Sequence, residues 1–220
     1  MKRLFIPLCT EPFRWFKEGK KEWELRKISR KFNSDIIYIG ETVELRRGYI
    51  AKNGVIWGKV TDCQTFISLK EVFSAIPYNR IVDAENEKQA MQYICKIMDI
   101  PSDDLSGFVA IRIEKIDTLG EIIFEDKFLP LIREGRKTST IRNGIRHYFP
   151  GFYTAYNDTR TKCELLKVSG TELTKYGQLT DDNATKEGYE FVEELKVELL
   201  RYYPDLTNDS TMTIIYFEEE

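Results

Sequence analysis

The sequence predicts an α+β chain built as two domains on one plan. Three observations predict it. The chain has 220 residues, comfortable for two domains of roughly 100 residues each. Residues 19–26, GKKEWELR, and residues 135–142, GRKTSTIR, align Gly19 with Gly135, Lys21 with Lys137 and Arg26 with Arg142. The elements around both octets also follow one order: strand, short helix, octet, several strands, amphipathic helix, final strand. One octet match can arise by chance. A match inside a shared order of elements points to a tandem duplication, with its boundary near Thr118–Gly120 and domains at 1–118 and 119–220.

In the first half, Leu4–Leu8 is a short apolar run and reads as a strand. Thr10 is a capping residue, Pro12 suits a first helical turn, and Phe13 and Phe16 make an apolar stripe. Gly19 then stops the helix in the left-handed conformation. Ile36–Ile39 and Thr42–Leu45 read as strands turning at Gly40-Glu41, and Val55–Val60 as another. Glu87–Met98 has helical spacing through Ala90, Ile94 and Ile97. Pro101–Ser106 is a loop. Val109, Ile111 and Ile113 alternate with Ala110, Arg112 and Glu114, the pattern of a half-buried strand.

The second half repeats the order. Ile122–Phe124 is a strand. Phe128, Leu131 and Ile132 mark a short helix stopped by Gly135. Pro150-Gly151 is a turn, followed by aromatic strand material through Tyr156, and Glu164–Val168 is a further strand. Val192, Leu195, Leu199 and Tyr202 recur at helical spacing, and Pro204 closes that helix. Met212–Phe217 is the last strand.

Hydrophobic content is 42% and charged content 31%, so each half can bury a core. No apolar window is long enough for a membrane span, and the N-terminal apolar run is too short for a signal peptide. The expected location is the cytoplasm. The cysteines Cys9, Cys63, Cys95 and Cys163 show no C-x-x-C spacing, and His147 is the single histidine. They read as small core residues, with no metal site and no cofactor expected. Net charge is −3, which argues against tight non-specific nucleic-acid binding. The charge is uneven, however. Arg14–Lys31 holds eight basic residues and three acids, and Lys127–His147 six Lys/Arg and one Glu. Both segments contain an octet. They read either as an electrostatic footprint for phosphate or as solvated faces. The acidic stretch from Asp181 to the EEE terminus reads as a solvated face.

Gly135, Arg136 and Lys137 fit a helix end, with glycine in the left-handed conformation and bases on the helix dipole. That account leaves Thr138, Thr140 and Arg142. On an extended segment these alternate onto one face. Two hydroxyls and a guanidinium there would line a site for phosphate or a base edge. The other reading is a solvated strand with Arg142 in a salt bridge.

The stretch LIREGRKTSTIRNGIRHYFPG, Leu131–Gly151, resembles the ASCH domain, a member of the PUA-like group of small β-barrels. Gly135, Lys137, Thr138, Thr140, Arg142 and Gly151 match its pattern, as do ATKEG at Ala184–Gly188 and YYP at Tyr202–Pro204. The resemblance covers the second half, and EGKKEWELR resembles the family more loosely. It implies two PUA-like small β-barrels with flanking helices. The second half further resembles the bacterial N4-acetylcytidine amidohydrolases. That resemblance implies a catalytic set of Lys137, Thr140 and Glu187. Thr140 would be the nucleophile, Lys137 its proton acceptor and Glu187 the group that orients the lysine or protonates the leaving amine. Residues three apart face opposite sides of a regular strand, so Lys137 and Thr140 meet only if the chain bends after Gly135 or the long lysine reaches around. Two departures bear on substrate identity. Asn143-Gly144 stands where those enzymes carry an acid, and they are single short domains.

The first octet has Glu24 where the second has Thr140. Lys21, Glu24 and Arg26 are candidates for a base-edge site or for an ion pair within the fold, in a copy that binds or scaffolds. Asp83 and Glu85 are the nearest candidates for a Glu187 counterpart. Among the aromatic residues after the second octet, Tyr148 and Phe149 are candidates for stacking on a base. With Arg136, Thr138 and Arg142 they make up the expected binding surface. Three functions follow as expectations: a hydrolase of modified cytidine, with ribonuclease chemistry as a variant; a module binding RNA or a modified base; and a protein-interaction adaptor. The expected partner is RNA or a modified nucleoside, with no membrane contact. Nothing in the sequence sets an oligomeric state.

Overall fold

The computed structural model describes residues 3–220. The chain divides into two compact units, one reaching Ile116 and the other running from Asp117 to Glu220. The first contains β1 (Leu4–Leu8), α1 (Thr10–Lys17), β2 (Trp23–Lys27), β3 (Thr42–Arg47), β4 (Val55–Phe66), α2 (Leu69–Ala75), α3 (Glu87–Met98) and β5 (Phe108–Ile116). The second contains β6 (Gly120–Phe124), α4 (Phe128–Arg133), β7 (Ser139–Asn143), β8 (Gly151–Asn157), β9 (Cys163–Lys175), α5 (Asp181–Glu187), α6 (Val192–Tyr202) and β10 (Thr211–Glu219).

Each unit is α+β and is built on one five-stranded sheet curled as a half-barrel. The strand orders are β1-β3-β4-β5-β2 and β6-β8-β9-β10-β7. Adding five to each label of the first gives the second. The outer pairs β1/β3 and β6/β8 are parallel, and every other pair is antiparallel. The long pairs β4/β5 and β9/β10 each carry one register shift, at Val60/Asp62 and at Tyr216/Phe217. Such bulges bend the strand and increase its twist, which helps a sheet curl.

The structural repeat extends to single hydrogen bonds. The Lys21 N–H donates to the Trp15 carbonyl at 3.2 Å, and the Lys137 N–H to the Leu131 carbonyl at 3.0 Å. Gly19 and Gly135 have φ of 73° and 67°. Each ends a short helix and turns the chain into the following edge strand, a conformation disfavoured for a residue with a Cβ.

The sheet in each unit is covered on two sides. In the first unit Val109 and Ile111 pack with α1 residues Phe13 and Phe16. Phe108 and Ala110 pack with α2 and α3 through Leu69, Val72, Ala90 and Ile94. This is why Phe108–Ile111 is buried on both faces, where alternation alone predicted a half-buried strand. In the second unit one cluster joins Phe124, Phe128, Ile132 and Ile215, and the other joins Ile141, Leu195, Leu199 and Ile214.

Several local readings differ. Residues 36–39 are not a strand. The Asn33 side chain accepts from the Asp35 N–H at 3.0 Å, and the Ile36 N–H bonds back to Asn33. These short-range turn bonds displace β-structure despite the apolar residues. Cys9, not Thr10, occupies the cap position of α1, and it is exposed rather than a core residue. The helices α2 and α5 carry too few residues for a period to show in the sequence.

Candidate functional site

The second octet leaves α4 through Gly135 and enters β7 at Ser139. Lys137 lies in the three-residue step between them, Arg136 to Thr138, where strand alternation does not apply. The Thr138 N–H bonds the Lys186 carbonyl at 2.8 Å, and the Thr138 carbonyl accepts from Phe217 at 2.9 Å. The octet is thereby tied to the end of α5 on one side and to β10 on the other. The start of α5 is fixed by a reciprocal capping box between Thr180 and Asn183. It ends at Gly188, whose φ is 91°. Glu187, the last helical residue, points back at the octet.

There Lys137 and Glu187 form a buried pair. Lys137 Nζ donates to the Glu187 carboxylate and, at 3.0 Å, to the Glu187 main-chain carbonyl. The other carboxylate oxygen accepts the Ile141 N–H from β7. Both side chains are almost wholly inside. The ammonium also lies over the Phe128 ring, 4.6 Å from its centre. Burial pushes the Lys137 pKa down. Glu187 opposes that shift, and Arg142 and Lys127 add to it more weakly. A lysine of this kind gives up its proton more readily than one in water.

Lys137, Thr140 and Glu187 all line one cavity of about 570 Å³, together with Phe124, Phe128, Arg142, Tyr148, Tyr189 and Tyr202. That volume is in the range that takes a nucleoside-sized ligand. The Thr140 hydroxyl makes no hydrogen bond with the described residues. Arg142 Nη2 donates to the Ile123 carbonyl at 2.9 Å, so the guanidinium is fixed on the wall, with no carboxylate partner among the described residues. Arg136 and Thr138 are not among the lining residues; Arg136 is exposed and pairs with Glu134 at 3.2 Å. Phe149 is 71% exposed and also stands off the cavity. The lining includes the further acids Glu121, Glu125, Asp158 and Glu198. Arg201 joins Glu125 to Glu198, and Lys127 bridges the same two acids. Hydrogen bonds from Tyr202 and then Arg201 hold Glu125 down to about 2.

The first unit keeps the same frame with different contents. Arg26 Nη2 donates to the Pro7 carbonyl at 2.6 Å, the counterpart of Arg142 on Ile123. Lys21 Nζ donates to the Ile81 carbonyl at 2.6 Å, the counterpart of Lys137 on Glu187. The position equivalent to Glu187 is therefore Ile81, not Asp83 or Glu85. The counter-charge comes instead from Glu24, whose carboxylate meets Lys21 at 3.3 Å and Arg26 at 2.7 Å. Burial lowers the Lys21 pKa as well, against the pull of Glu24. A cavity of about 280 Å³ remains beside Pro7, Pro12, Glu24 and Arg26.

The basic segments around both octets are largely neutralised. Lys20 pairs with Asp83, Lys27 with Asp104, and Arg133 with Glu164. Among the described residues no His, Cys, Asp and Glu side chains gather as a metal cluster, and no helix is long and apolar enough to cross a membrane. Composition and spacing did not single out Tyr189 or the acids Glu121, Glu125, Asp158 and Glu198 as lining groups.

No family model and no curated protein matches the chain. Among solved structures, the crystal structure of an ASCH domain from Lactobacillus crispatus JV V101 is 10% identical. The match covers 69% of this chain and 90% of that one at a TM-score of 0.42. The crystal structure of hypothetical protein PH0355 is 22% identical over 52% of this chain and 100% of its own, with a TM-score of 0.43. The solution structure of protein PF0455 from Pyrococcus furiosus is 19% identical over 53% and 99%, with a TM-score of 0.41.

Proposed function

We propose that the second unit hydrolyses the acyl amide of an N4-acylated cytidine of nucleoside size, with N4-acetylcytidine as the reference substrate. One observation carries the reading: a buried Lys137–Glu187 pair stands in the same cavity wall as the Thr140 hydroxyl, which has no hydrogen-bond partner among the described residues. The resemblance of Lys137, Thr140 and Glu187 to the amidohydrolase pattern supports it, and supports tandem ASCH-type units over 1–118 and 119–220.

The chemistry balances with these three groups. A buried pair holding one proton exchanges between ammonium–carboxylate and amine–carboxylic acid. In the second form the Lys137 amine takes the Thr140 proton as its oxygen adds to the acyl carbonyl. Glu187 then gives its proton to N4 as the C–N bond breaks. Cytidine leaves, and an acyl ester remains on Thr140. Water attacks that ester and passes a proton to Glu187, and Lys137 returns its proton to Thr140. The products are cytidine and the free acid.

A second reading is a module that binds RNA or a modified base without turnover, and the presence of Tyr148 and Tyr202 on the cavity favours it. Incubation with N4-acetylcytidine and chromatography for cytidine separates the two. Wild type should release cytidine, and Thr140→Val should release none while still binding the substrate. Binding by wild type with no release would select the second reading.

A further inference from the structure

The hydrolytic reading gives no role to a buried, unpaired hydroxyl of the cavity. The Tyr189 hydroxyl is buried and has no hydrogen-bond partner among the described residues. Tyr189 follows the Gly188 turn, and its ring meets Phe128 edge-on with centres 6.2 Å apart. It lines the cavity with Lys137, Thr140 and Glu187. A buried hydroxyl left unpaired is disfavoured in the free protein. Phenylalanine would fill the same space without that penalty.

Among the described residues two other buried side-chain atoms lack a hydrogen bond, Ser139 Oγ and Arg26 Nε. Ser139 is not among the residues lining the cavity, and Arg26 Nε has an ion partner in Glu24 at 2.7 Å. Tyr189 alone of the three combines an unpaired donor with a ligand-sized space. Burial, and then the nearby charges of Glu198 and Glu187, push its pKa above the usual phenol value. The group therefore keeps its proton at neutral pH and is a donor.

We propose that the Tyr189 hydroxyl donates a hydrogen bond to the acyl carbonyl oxygen of the bound substrate. This rests on the reading of the cavity as an N4-acylcytidine site. As Thr140 adds, negative charge grows on that oxygen. A fixed donor inside a cavity is worth far more against that charge than one in water. Tyr189 would thus be a catalytic residue that moves no proton.

The test is Tyr189→Phe, which removes one oxygen and keeps the ring. Three readouts are needed. The melting temperature of the free variant should hold or rise by about 2–4 °C, as expected when an unpaired buried hydroxyl is deleted. The kcat for N4-acetylcytidine should fall about 100-fold, with a smaller change in KM. In a Thr140→Val background, adding Tyr189→Phe should weaken N4-acetylcytidine binding about tenfold. A lower melting temperature with unchanged kcat and affinity would make the phenol structural and overturn the proposal. If wild type releases no cytidine, the hydrolytic reading fails, and the affinity comparison alone decides Tyr189. No binding by either Thr140→Val protein overturns the Tyr189 proposal too.

Discussion

Lys137 and Glu187, fifty positions apart in the chain, are joined twice. The lysine ammonium donates to the carboxylate and, at 3.0 Å, to the carbonyl of the same residue. The second bond fixes where the ammonium sits independently of the carboxylate. Removing only the carboxylate would leave a buried cation with its position kept and its counter-charge gone.

Glu187→Ala should therefore destabilise the second unit by about 3–5 kcal/mol. Lys137→Met/Glu187→Leu should recover most of that loss, because an apolar pair fills the space without an unpaired charge. Urea unfolding of the three proteins checks this. A Glu187→Ala variant as stable as wild type would show that the pair does not hold the unit together.

The first unit offers the complementary experiment. Glu24 supplies there the carboxylate that Glu187 supplies in the second unit, from the strand position that Thr140 occupies. Glu24→Thr strands Lys21, and Ile81→Glu alone adds a second buried acid. Each should destabilise, by about 3 kcal/mol or more. The double variant should be more stable than either, with a coupling above about 1 kcal/mol. Additive losses in denaturant titrations would contradict the equivalence of Ile81 and Glu187.

The direction of the Lys137 shift sets a pH dependence. Burial lowers its folded pKa below the ordinary 10.5, against Glu187 and with Arg142 and Lys127. Between the lowered value and 10.5 the unfolded chain binds the extra proton, so stability contributed by this group rises with pH through that window and is level above it. Unfolding free energies of wild type minus Lys137→Met/Glu187→Gln, measured from neutral pH to about 10.5, should increase. A flat or falling difference would mean that the pair, not burial, governs the lysine.

Charge pairing bears on the RNA reading. Lys20, Lys27, Lys127, Arg133 and Arg136 all have carboxylate partners, and the lining of the larger cavity adds Glu121, Glu125, Asp158 and Glu198. Affinity for a short single-stranded RNA should be weak, with a salt slope corresponding to about two phosphates or fewer. A steep slope in a fluorescence titration would show a phosphate-tracking surface that this pairing does not predict.

Much of the fold was legible because it was written twice. The octets gave the helix end, the glycine turn and the edge strand, and the shared order gave the repeated plan of the two units. Residues 36–39 misled because Ile36, Ile37 and Ile39 suggest a strand, while Asn33 and Asp35 close turns at short range. Helix α5 has seven residues and was visible only as a family segment, although its Thr180–Asn183 box was present in the sequence. At the site, the sequence let Lys137 and Thr140 share a face only if the segment bends; Lys137 lies before β7 begins at Ser139, and both residues line one cavity. The ion pair of Lys21 and Arg26 with Glu24 was one of the two readings open for the first octet; the part that could not be read was how Lys21 is held without a Glu187 counterpart. It depends on Ile81, a buried apolar residue whose main-chain carbonyl, rather than its side chain, meets Lys21. Tyr189 was hidden for a similar reason, since an unpaired hydroxyl is a property of surroundings and not of residue type.

The most direct test of the central claim is the mass of the protein itself. Wild type mixed in excess over N4-acetylcytidine and quenched in acid within a single turnover should carry one acetyl group, located by peptide mapping on Thr140. Thr140→Val should carry none. Cytidine release from wild type with no acetyl on Thr140 at any time, and undiminished release from Thr140→Val, would contradict the account.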